Sequence, residues 1–321
     1  MQFYNKQHDF YCGIDLHARI LYVCIISQQG EAEPAALMAL IQPYKDKMVM
    51  GVECMHCWYW VSDFCQANNI EFVLGHALYM KAIHGGKAKN DKIDSYKFAC
   101  LLRGGNFPLA YRYPKEMRAT RDLLRRRTRI VRHGADLKAH VSNTFSQYNL
   151  PAHYLNLRYP YAREKLRGTF SDLSAQRNID LDLNIVDFYT HELSSVECFI
   201  LKNAKQHNSQ DFNLLNTFPG IGRILALTII YEVGDIRRFD TVQKFASYCR
   251  LIKCKAESAG KTYGTQGNKI GNDKAKRYLE RLQKRMSKAK ALSALSHKVG
   301  RCVYFMLKNK TVFDEERFLK S

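Results

Sequence analysis

Two short apolar runs, each ending on a carboxylate, constrain the fold of this chain more than any other feature. Phe10–Asp15 reads Phe-Tyr-Cys-Gly-Ile-Asp, and Met48–Glu53 reads Met-Val-Met-Gly-Val-Glu. Apolar runs of this length, bounded by polar residues, are typical of buried strands. A carboxylate at the end of a buried strand loses its hydration, so it needs a cation or hydrogen-bond donors nearby. The pattern therefore predicts a sheet with acids at one edge.

The neighbouring segments extend this sheet. Leu21–Ile26 is a second apolar run that predicts a β-hairpin with the first, and a turn aspartate capping that hairpin is the simpler interpretation of Asp15 alone. Residues 56–69 have helical spacing, and Glu71–Leu74 resembles another strand. Alternating strands and helices favour an α/β layer with helices packed on a sheet.

Two more acids open a predicted amphipathic helix that runs to about Leu102. Asp91 and Asp94 are three residues apart and share one face of its first turn, where the helix dipole alone would favour acids. The functional interpretation groups them with Asp15 and Glu53. Four clustered carboxylates repel one another unless divalent cations lie among them, and oxygen ligands suit Mg²⁺ or Mn²⁺. Two such ions about 4 Å apart can stabilise both oxygens of a phosphodiester displacement.

The charge balance indicates the class of partner. The chain has 50 Lys and Arg against 30 Asp and Glu, a formal net charge of +20. This surplus predicts a polyanionic partner, because each phosphate neutralised releases condensed counterions.

No apolar stretch approaches the ~20 residues of a membrane span, and the N-terminus lacks a signal-peptide core, so we expect an intracellular protein. Cys54 and Cys57 have zinc-site spacing, but no second pair follows.

A long basic helix is predicted from Lys115 to about Phe145. Two heptad series, one through Leu124 and Val131 and one through Ile130, predict a coiled-coil-like seam, and a second helix over 185–200 is expected to pack back on it. A solvated face is the simpler interpretation of its charges, yet only Asp122 offsets seven arginines within fifteen residues. We therefore expect a nucleic-acid surface formed by Arg118, Arg121, Arg125, Arg126, Arg129 and Arg132.

The last third contains three further features. Phe218-Pro-Gly-Ile-Gly222 resembles a helix-hairpin-helix turn, in which the backbone at Gly220 and Gly222 binds a phosphate; an ordinary turn is the alternative. A glycine-rich, polar stretch over 256–271 is expected to be an exposed loop. A basic helix over 273–290 is expected to contact nucleic acid, and an apolar helix follows over 292–307. The cations assigned to this contact are Lys274, Arg277 and Arg281.

These motifs, in this order, resemble the DEDD transposases of the IS110 insertion-sequence family and their relatives, the pilin-gene invertases. The resemblance implies a RuvC-like (RNase H-like) α/β domain over 1–110, a helical coiled-coil region over 111–207 and a mainly α-helical transposase domain over 208–321. The motifs are Tyr11-Cys-Gly-Ile-Asp15, Gly51-Val-Glu53, Lys89-Asn-Asp91-Lys-Ile-Asp94, the 218–222 turn and Glu257-Ser-Ala-Gly.

The resemblance also implies roles for residues and partners. Asp15, Glu53, Asp91 and Asp94 would bind Mg²⁺ or Mn²⁺, and Ser258 would take a DNA end as a phosphoserine ester. Independently of the resemblance, we expect Lys261 to bind nucleic acid, and either Lys261 or a metal-bound water could activate the serine. The partners would be double-stranded target and donor DNA, a noncoding bridge RNA and further copies of the chain in a dimer or tetramer. The setting would be the prokaryotic cytoplasm, at the nucleoid. Ala259 departs from the family pattern, which usually has Gly after the serine.

Two other functions remain open. A RuvC-like structure-specific endonuclease would use the acids with metal-activated water and would not need Ser258. A catalytically inactive nucleic-acid-binding protein would need neither. Within the leading interpretation, a recombinase that cuts and rejoins DNA, the choice between transposition and site-specific inversion also stays open.

Overall fold

The computed structural model describes residues 2–16, 21–27, 32–33, 37–84, 91–150, 156–204, 208–251, 257–258, 261–262 and 273–320. The chain divides into two compact units, 1–116 and 117–321. The first has a mixed α/β fold and the second is mostly helical, as predicted. The finer division at 110 and 207 stays a prediction. Among the described helices, none combines the length and the hydrophobicity needed to span a bilayer.

A five-stranded sheet forms the centre of the first unit. Its strands lie in the order β4-β3-β2-β5-β6. β2, β3 and β4 are antiparallel neighbours, whereas β2, β5 and β6 run parallel. A separate pair joins β1 to β7. The strands are β1 (Phe3–Tyr4), β2 (Phe10–Leu16), β3 (Leu21–Ser27), β4 (Ala32–Glu33), β5 (Met48–Glu53), β6 (Glu71–Gly75) and β7 (Phe107–Pro108).

Helices cover both faces of this sheet because successive side chains of a buried strand point to opposite sides. On one face Ile14 and Val52 pack with Trp58 and Val61. The opposite face carries a second apolar cluster. The first face holds α1 (Leu37–Tyr44) and α2 (Trp58–Ala67), and the second holds α3 (Ala77–His84) and α4 (Asp91–Arg103). The predicted hairpin, strands β5 and β6 and helices α2 and α4 are thereby confirmed.

The second unit contains two long antiparallel helices, α5 (Lys115–Gln147) and α7 (Leu173–Asn203); α5 begins just before the unit boundary. Ion pairs Arg127–Glu197 and His140–Asp182 join them at 2.5 Å each. These pairs confirm that α7 packs back on α5. The predicted heptad seam is wrong at Val131, which is 38% exposed, because the α5 positions buried beyond Leu124 shift to Gly134 and Val141.

Shorter helices complete this unit around a large apolar core. Ala226, Phe245, Leu295 and Tyr304 lie in that core together with Leu124 of α5. The helices are α6 (Pro160–Glu164), α8 (Ser209–Asn216), α9 (Arg223–Val233), α10 (Val242–Tyr248), α11 (Asp273–Gln283), α12 (Lys288–Asn309) and α13 (Glu315–Lys320). β8 (Glu257–Ser258) and β9 (Lys261–Thr262) form a small antiparallel pair.

The predicted C-terminal end of the basic helix over 273–290 is wrong. α11 stops at Gln283, and a new helix, α12, starts at Lys288 and includes the predicted apolar segment. No proline or glycine separates the two helices, so the sequence offers no strong break signal. Tyr278 and Leu295 pack against the same core, and this packing requires the chain to turn between them.

Candidate active site

The two strand-end acids lie side by side at one edge of the sheet. Parallel strands β2 and β5 pair Gly13 with Gly51 and Ile14 with Val52, and the next positions along both strands are Asp15 and Glu53. Since neighbouring strands are about 4.8 Å apart, the two acids start from adjacent backbone positions. Asp15 is only 8% exposed, and Glu53 is partly buried. The predicted pairing of acids at a sheet edge is therefore present.

Both acids point to the face of the sheet that α4 covers. Asp15 and Gly13 share one face of β2, and Glu53 and Gly51 share the same face of β5, because side chains alternate along a strand. A Cβ added to Gly13 would lie 2.1 Å from the Ser95 carbonyl oxygen of α4. Gly13 thus lets the α4 backbone approach the sheet, and Gly51 leaves room for the Leu102 side chain of the same helix.

The other two predicted acids are carried by this helix. Asp94 directly precedes Ser95, which is buried against Gly13, so Asp94 belongs to the turn of α4 that crosses β2. Its carboxylate accepts a hydrogen bond from Lys97 Nζ at 3.1 Å. Asp91 opens the helix one turn earlier, but its side chain lies outside the described residues.

The described side chains do not by themselves form a metal centre. Among them, no group of three or more His, Cys, Asp or Glu lies close enough to hold an ion. Burial raises the pKa of the Cys57 thiol and the nearby Asp15 carboxylate raises it further, which places Cys57 beside the acid edge.

One residue at this edge was missed by the sequence analysis. His76 directly follows β6, whose last residue, Gly75, pairs with Glu53. Its ring stacks on Tyr79 with centroids 4.4 Å apart. The His76 Nδ1 atom is buried and has no hydrogen-bond partner among the described residues. The signal that identifies it is its position directly after a parallel strand, where ligands approach such sheets.

The proposed serine lies in the second unit, in a very short hairpin. Ser258 on β8 is the register partner of Lys261 on β9. Residues 259–260, which include Ala259, and the side chains of Ser258 and Lys261 lie outside the described residues. The expectation of an irregular loop over 256–271 is therefore wrong at these four paired positions, which form two short strands, and elsewhere in that stretch it stays a prediction.

The turn between α8 and α9 exposes backbone at the predicted phosphate-binding positions. Gly220 has a φ of 98°, a left-handed value that favours glycine. Ile221 is buried and anchors the turn, and its N–H bonds the Phe218 carbonyl at 3.0 Å. Gly222 is exposed and precedes α9 without a side-chain cap, so N–H groups of the first turn stay available.

The arginines of α5 fall into two groups. Arg118 is 4% exposed, so the prediction that it lies on an outward nucleic-acid face is wrong. Arg121 is also largely buried, and both its Nε and its Nη2 donate to Glu232. Sequence periodicity could not identify Arg121 as a structural residue because its partner, Glu232, is distant in the sequence. Arg125, Arg126, Arg129 and Arg132 are exposed, although Arg125 also lies 3.7 Å from Glu232.

The predicted contacts on α11 are described only in part. Arg281 is exposed, and its guanidinium lies 5.1 Å from the centre of the Tyr278 ring. The side chains of Lys274 and Arg277 lie outside the described residues.

Comparison with known families assigns the chain. A family model of DEDD transposases of the IS110 type, described as "Transposase", matches residues 12–150, which include all four predicted acids. A second model, described as "Transposase IS116/IS110/IS902 family", matches residues 212–296, which include the 218–222 turn and Ser258. A search of curated proteins finds no match. The two models together span both units, and the chain belongs to the IS110 family of DEDD transposases, enzymes that act on DNA.

Proposed function

We propose that this transposase cuts and rejoins DNA strands through Asp15, Glu53, Asp91 and Asp94 in the first unit and Ser258 in the second. The observation that carries the proposal is the sheet edge, where Asp15 and Glu53 are neighbours on the face covered by α4, the helix of Asp91 and Asp94. In this proposal, the carboxylates of two adjacent strands and of one helix turn act together on the DNA phosphate.

The topology of the sheet supports an RNase H-like assignment. Three antiparallel strands are followed by two strands parallel to the first, in the spatial order β4-β3-β2-β5-β6. This is the strand order of RNase H-like domains, in which acids at the end of the first strand meet acids on a helix that crosses the sheet. Asp15 and α4 occupy these two places.

The donor set fits hard divalent cations. Asp15, Glu53 and Asp94 offer only oxygen ligands, which Mg²⁺ and Mn²⁺ prefer, and nearby positive charge stabilises a carboxylate as buried as that of Asp15. When bound, the cations supply positive charge at the attacking and leaving oxygens of a phosphodiester displacement. The Lys97–Asp94 ion pair is the interaction that a cation would replace or supplement.

The strand-transfer step follows from serine chemistry. The Ser258 hydroxyl oxygen attacks a DNA phosphorus and loses its proton; the bond from phosphorus to one deoxyribose oxygen breaks, and that oxygen takes up a proton. A phosphoserine ester retains the energy of the broken bond, so attack by a second DNA hydroxyl rejoins the strands without ATP. Lys261, the register partner of Ser258, is our candidate to neutralise the phosphate.

Several surfaces support binding of long nucleic acids. Arg125, Arg126, Arg129 and Arg132 are exposed along α5, and the exposed turn at Gly220 and Gly222 offers backbone N–H groups. Arg281, with Lys274 and Arg277, completes the proposed set on α11. A noncoding bridge RNA as guide, assembly into a dimer or tetramer, and transposition rather than inversion remain parts of the proposal that rest on family resemblance.

A covalent-adduct assay tests this proposal. Full-length protein is incubated with Mg²⁺, labelled DNA carrying the flanks of its own gene and RNA transcribed from those flanks, then separated on a denaturing gel. We expect a protein–DNA adduct with the wild type, and none with Ser258→Ala or Asp15→Asn. Ser247→Ala, an exposed serine of α10, is the matched control and should retain the adduct.

The main alternative gives a different result in the same assay. If Ser258→Ala still releases cleaved DNA and no adduct forms with the wild type, the enzyme is an endonuclease that uses water. If Asp15→Asn retains the adduct, the acid edge is not the catalytic site.

A further inference from the structure

A pair of exposed tyrosines lies on a part of the second unit to which the proposed reaction assigns no role. The segment 156–170, which contains α6, packs on α5 and α7 through Leu157 and Leu166. On its outer side Tyr159 and Tyr161 are 46% and 62% exposed. Their rings are stacked, with centroids 5.7 Å apart and planes at 19°.

These rings are costly to leave in water. Each tyrosine buries only part of a large apolar ring, and a further planar group can stack on an outer face of the two nearly parallel, stacked rings. Nucleobases have such planar faces, and they are accessible when the bases are unpaired.

The charges around the tyrosines favour a phosphate-bearing ligand. Arg167 contacts Glu164, Asp180 and Asp187, and Arg163 shares Asp187, so these carboxylates are already engaged. Three other cations of the same segment and of the adjacent part of α5 form no ion pair among the described residues. They are Lys138, Arg158 and Lys165.

Two of these cations, Lys138 and Arg158, also lie close enough to repel each other. Burial lowers the pKa of Lys138, and the nearby Arg163 and Arg158 lower it further. Arg163 is itself buried, and it donates to the carbonyl oxygen of Arg158 at 3.0 Å, which holds that residue close. An anion bound beside Lys138 and Arg158 would relieve the repulsion between these two side chains.

We propose that Tyr159 and Tyr161, with Lys138, Arg158 and Lys165, form a platform that binds an unpaired stretch of nucleic acid. A base stacks on the tyrosine pair, and the adjoining phosphates contact the three cations. The ligand class rests on the proposed function, since a DNA recombinase exposes unpaired strands. A duplex fits less well because its bases already stack on one another.

Fluorescence anisotropy with the full-length protein tests this platform. The probes are labelled oligo(dT), oligo(U) and a DNA duplex, each about 15 nucleotides long, a length within the range covered by one single-strand-binding fold. EDTA is present throughout, so cleavage does not contribute. For the double variant Tyr159→Ala/Tyr161→Ala we expect binding of at least one single-stranded probe to weaken about tenfold or more, and duplex binding to change less than about twofold.

Matched variants separate stacking from charge and from folding. Tyr159→Phe/Tyr161→Phe should retain single-strand binding, because the ring faces remain. Arg158→Ala/Lys165→Ala should reduce the slope of log affinity against log salt by about 1 to 1.5 for single strands. Phe188→Ala removes a ring that is 61% exposed on α7 next to Asp187, and it should leave the affinity for all three probes unchanged.

The two single-stranded probes identify the source of the ligand. Weaker binding of oligo(dT) alone assigns the platform to a DNA strand, and weaker binding of oligo(U) alone assigns it to RNA; either result supports the proposal. Unchanged binding of both, or an equal loss for duplex, overturns it. A change in oligomeric mass without loss of binding also overturns it and makes the tyrosines a contact between copies. A wild type without the covalent adduct overturns the proposed reaction but leaves these metal-free results valid.

Discussion

The acid edge of the first unit and the arginine-rich helix α5 of the second were both predicted from like charges, yet they differ in how closely structure follows sequence. Asp15 and Glu53 lie together because the register of two parallel strands puts them there. The arginines of α5, by contrast, differ in their environments. Arg118 is buried, Arg121 is paired with Glu232, and Arg129 is exposed. A strand end is positioned by backbone pairing, whereas the role of a helix charge depends on the partners that distant segments bring.

The largest expected effect concerns the packing of α4 against β2, next to the acid edge. In Gly13→Ala the new Cβ would lie 2.1 Å from the Ser95 carbonyl oxygen and 2.4 Å from the Ala99 nitrogen, both backbone atoms of α4 that cannot move aside cheaply. We expect a loss of about 3 kcal/mol or more in the free energy of unfolding, together with loss of DNA cleavage. Chemical denaturation measures the first quantity.

Gly222→Ala serves as the stability control for this variant. Its φ is −76°, and an added Cβ would meet nothing within 4 Å, so the only expected cost is that of Ala at the N-cap of α9, about 1 kcal/mol or less. A Gly13→Ala protein as stable as the wild type would show that α4 does not lie against β2 as closely as described.

The next effect concerns the exposed arginines of α5 and their contribution to DNA binding. Arg126→Ala/Arg129→Ala/Arg132→Ala removes three exposed cations of α5. If each contacts a phosphate of duplex DNA, the slope of log affinity against log salt should fall by about 2.7. Titrations of duplex DNA at several salt concentrations measure this slope. Arg127→Ala, which removes a cation already paired with Glu197, is the control and should leave the slope nearly unchanged.

A smaller effect concerns Arg121, an arginine of α5 that is largely buried and paired. Glu232 accepts hydrogen bonds from Arg121 Nη2 at 2.8 Å and Nε at 3.1 Å, and the Arg121 side chain is only 13% exposed. Glu232→Gln leaves that guanidinium poorly compensated, so we expect a loss of about 1–2 kcal/mol of stability. The exposed pair of Glu164 with Arg167 is the contrast, and Glu164→Gln should change the melting temperature very little. Equal melting temperatures for the two variants would contradict the assignment.

The smallest effect concerns an acid at the opposite edge of the same sheet. Glu71 begins β6; although burial acts to raise the pKa of its carboxyl, hydrogen bonds from Lys6 and Tyr4 hold it below the ordinary value. A folded-state pKa below the unfolded one stabilises the fold at neutral pH, and this stabilisation disappears as the pH falls through the folded value. Glu71→Gln should therefore lower the melting temperature slightly at pH 7; the difference should shrink as the pH falls below the ordinary glutamate pKa of about 4.3 and vanish only below the folded pKa. A difference that persists in acid would mean that packing, not charge, is responsible.

Prediction from the sequence succeeded where a local pattern was enough. The continuous apolar run Phe10–Asp15 identified β2 because both faces of that strand are buried, and the helical spacing after Asp91 identified α4. It failed where short pieces gain their hydrogen bonds from distant segments. The pair of β1 with β7 joins positions about a hundred residues apart, and two-residue strands carry no periodicity.

By itself, the sequence determined which residue types are available: carboxylates at strand ends, glycines two positions before them, and a large surplus of cations. Only the tertiary structure decided which of these act together. Strand register placed Asp15 beside Glu53, and the glycines became meaningful when α4 was seen to lie on them. It also separated Arg118 from the exposed arginines and left Tyr159 and Tyr161 stacked at the surface. The physical reason is that burial and ion pairing are properties of contacts between distant segments, and these contacts leave no fixed spacing in the chain.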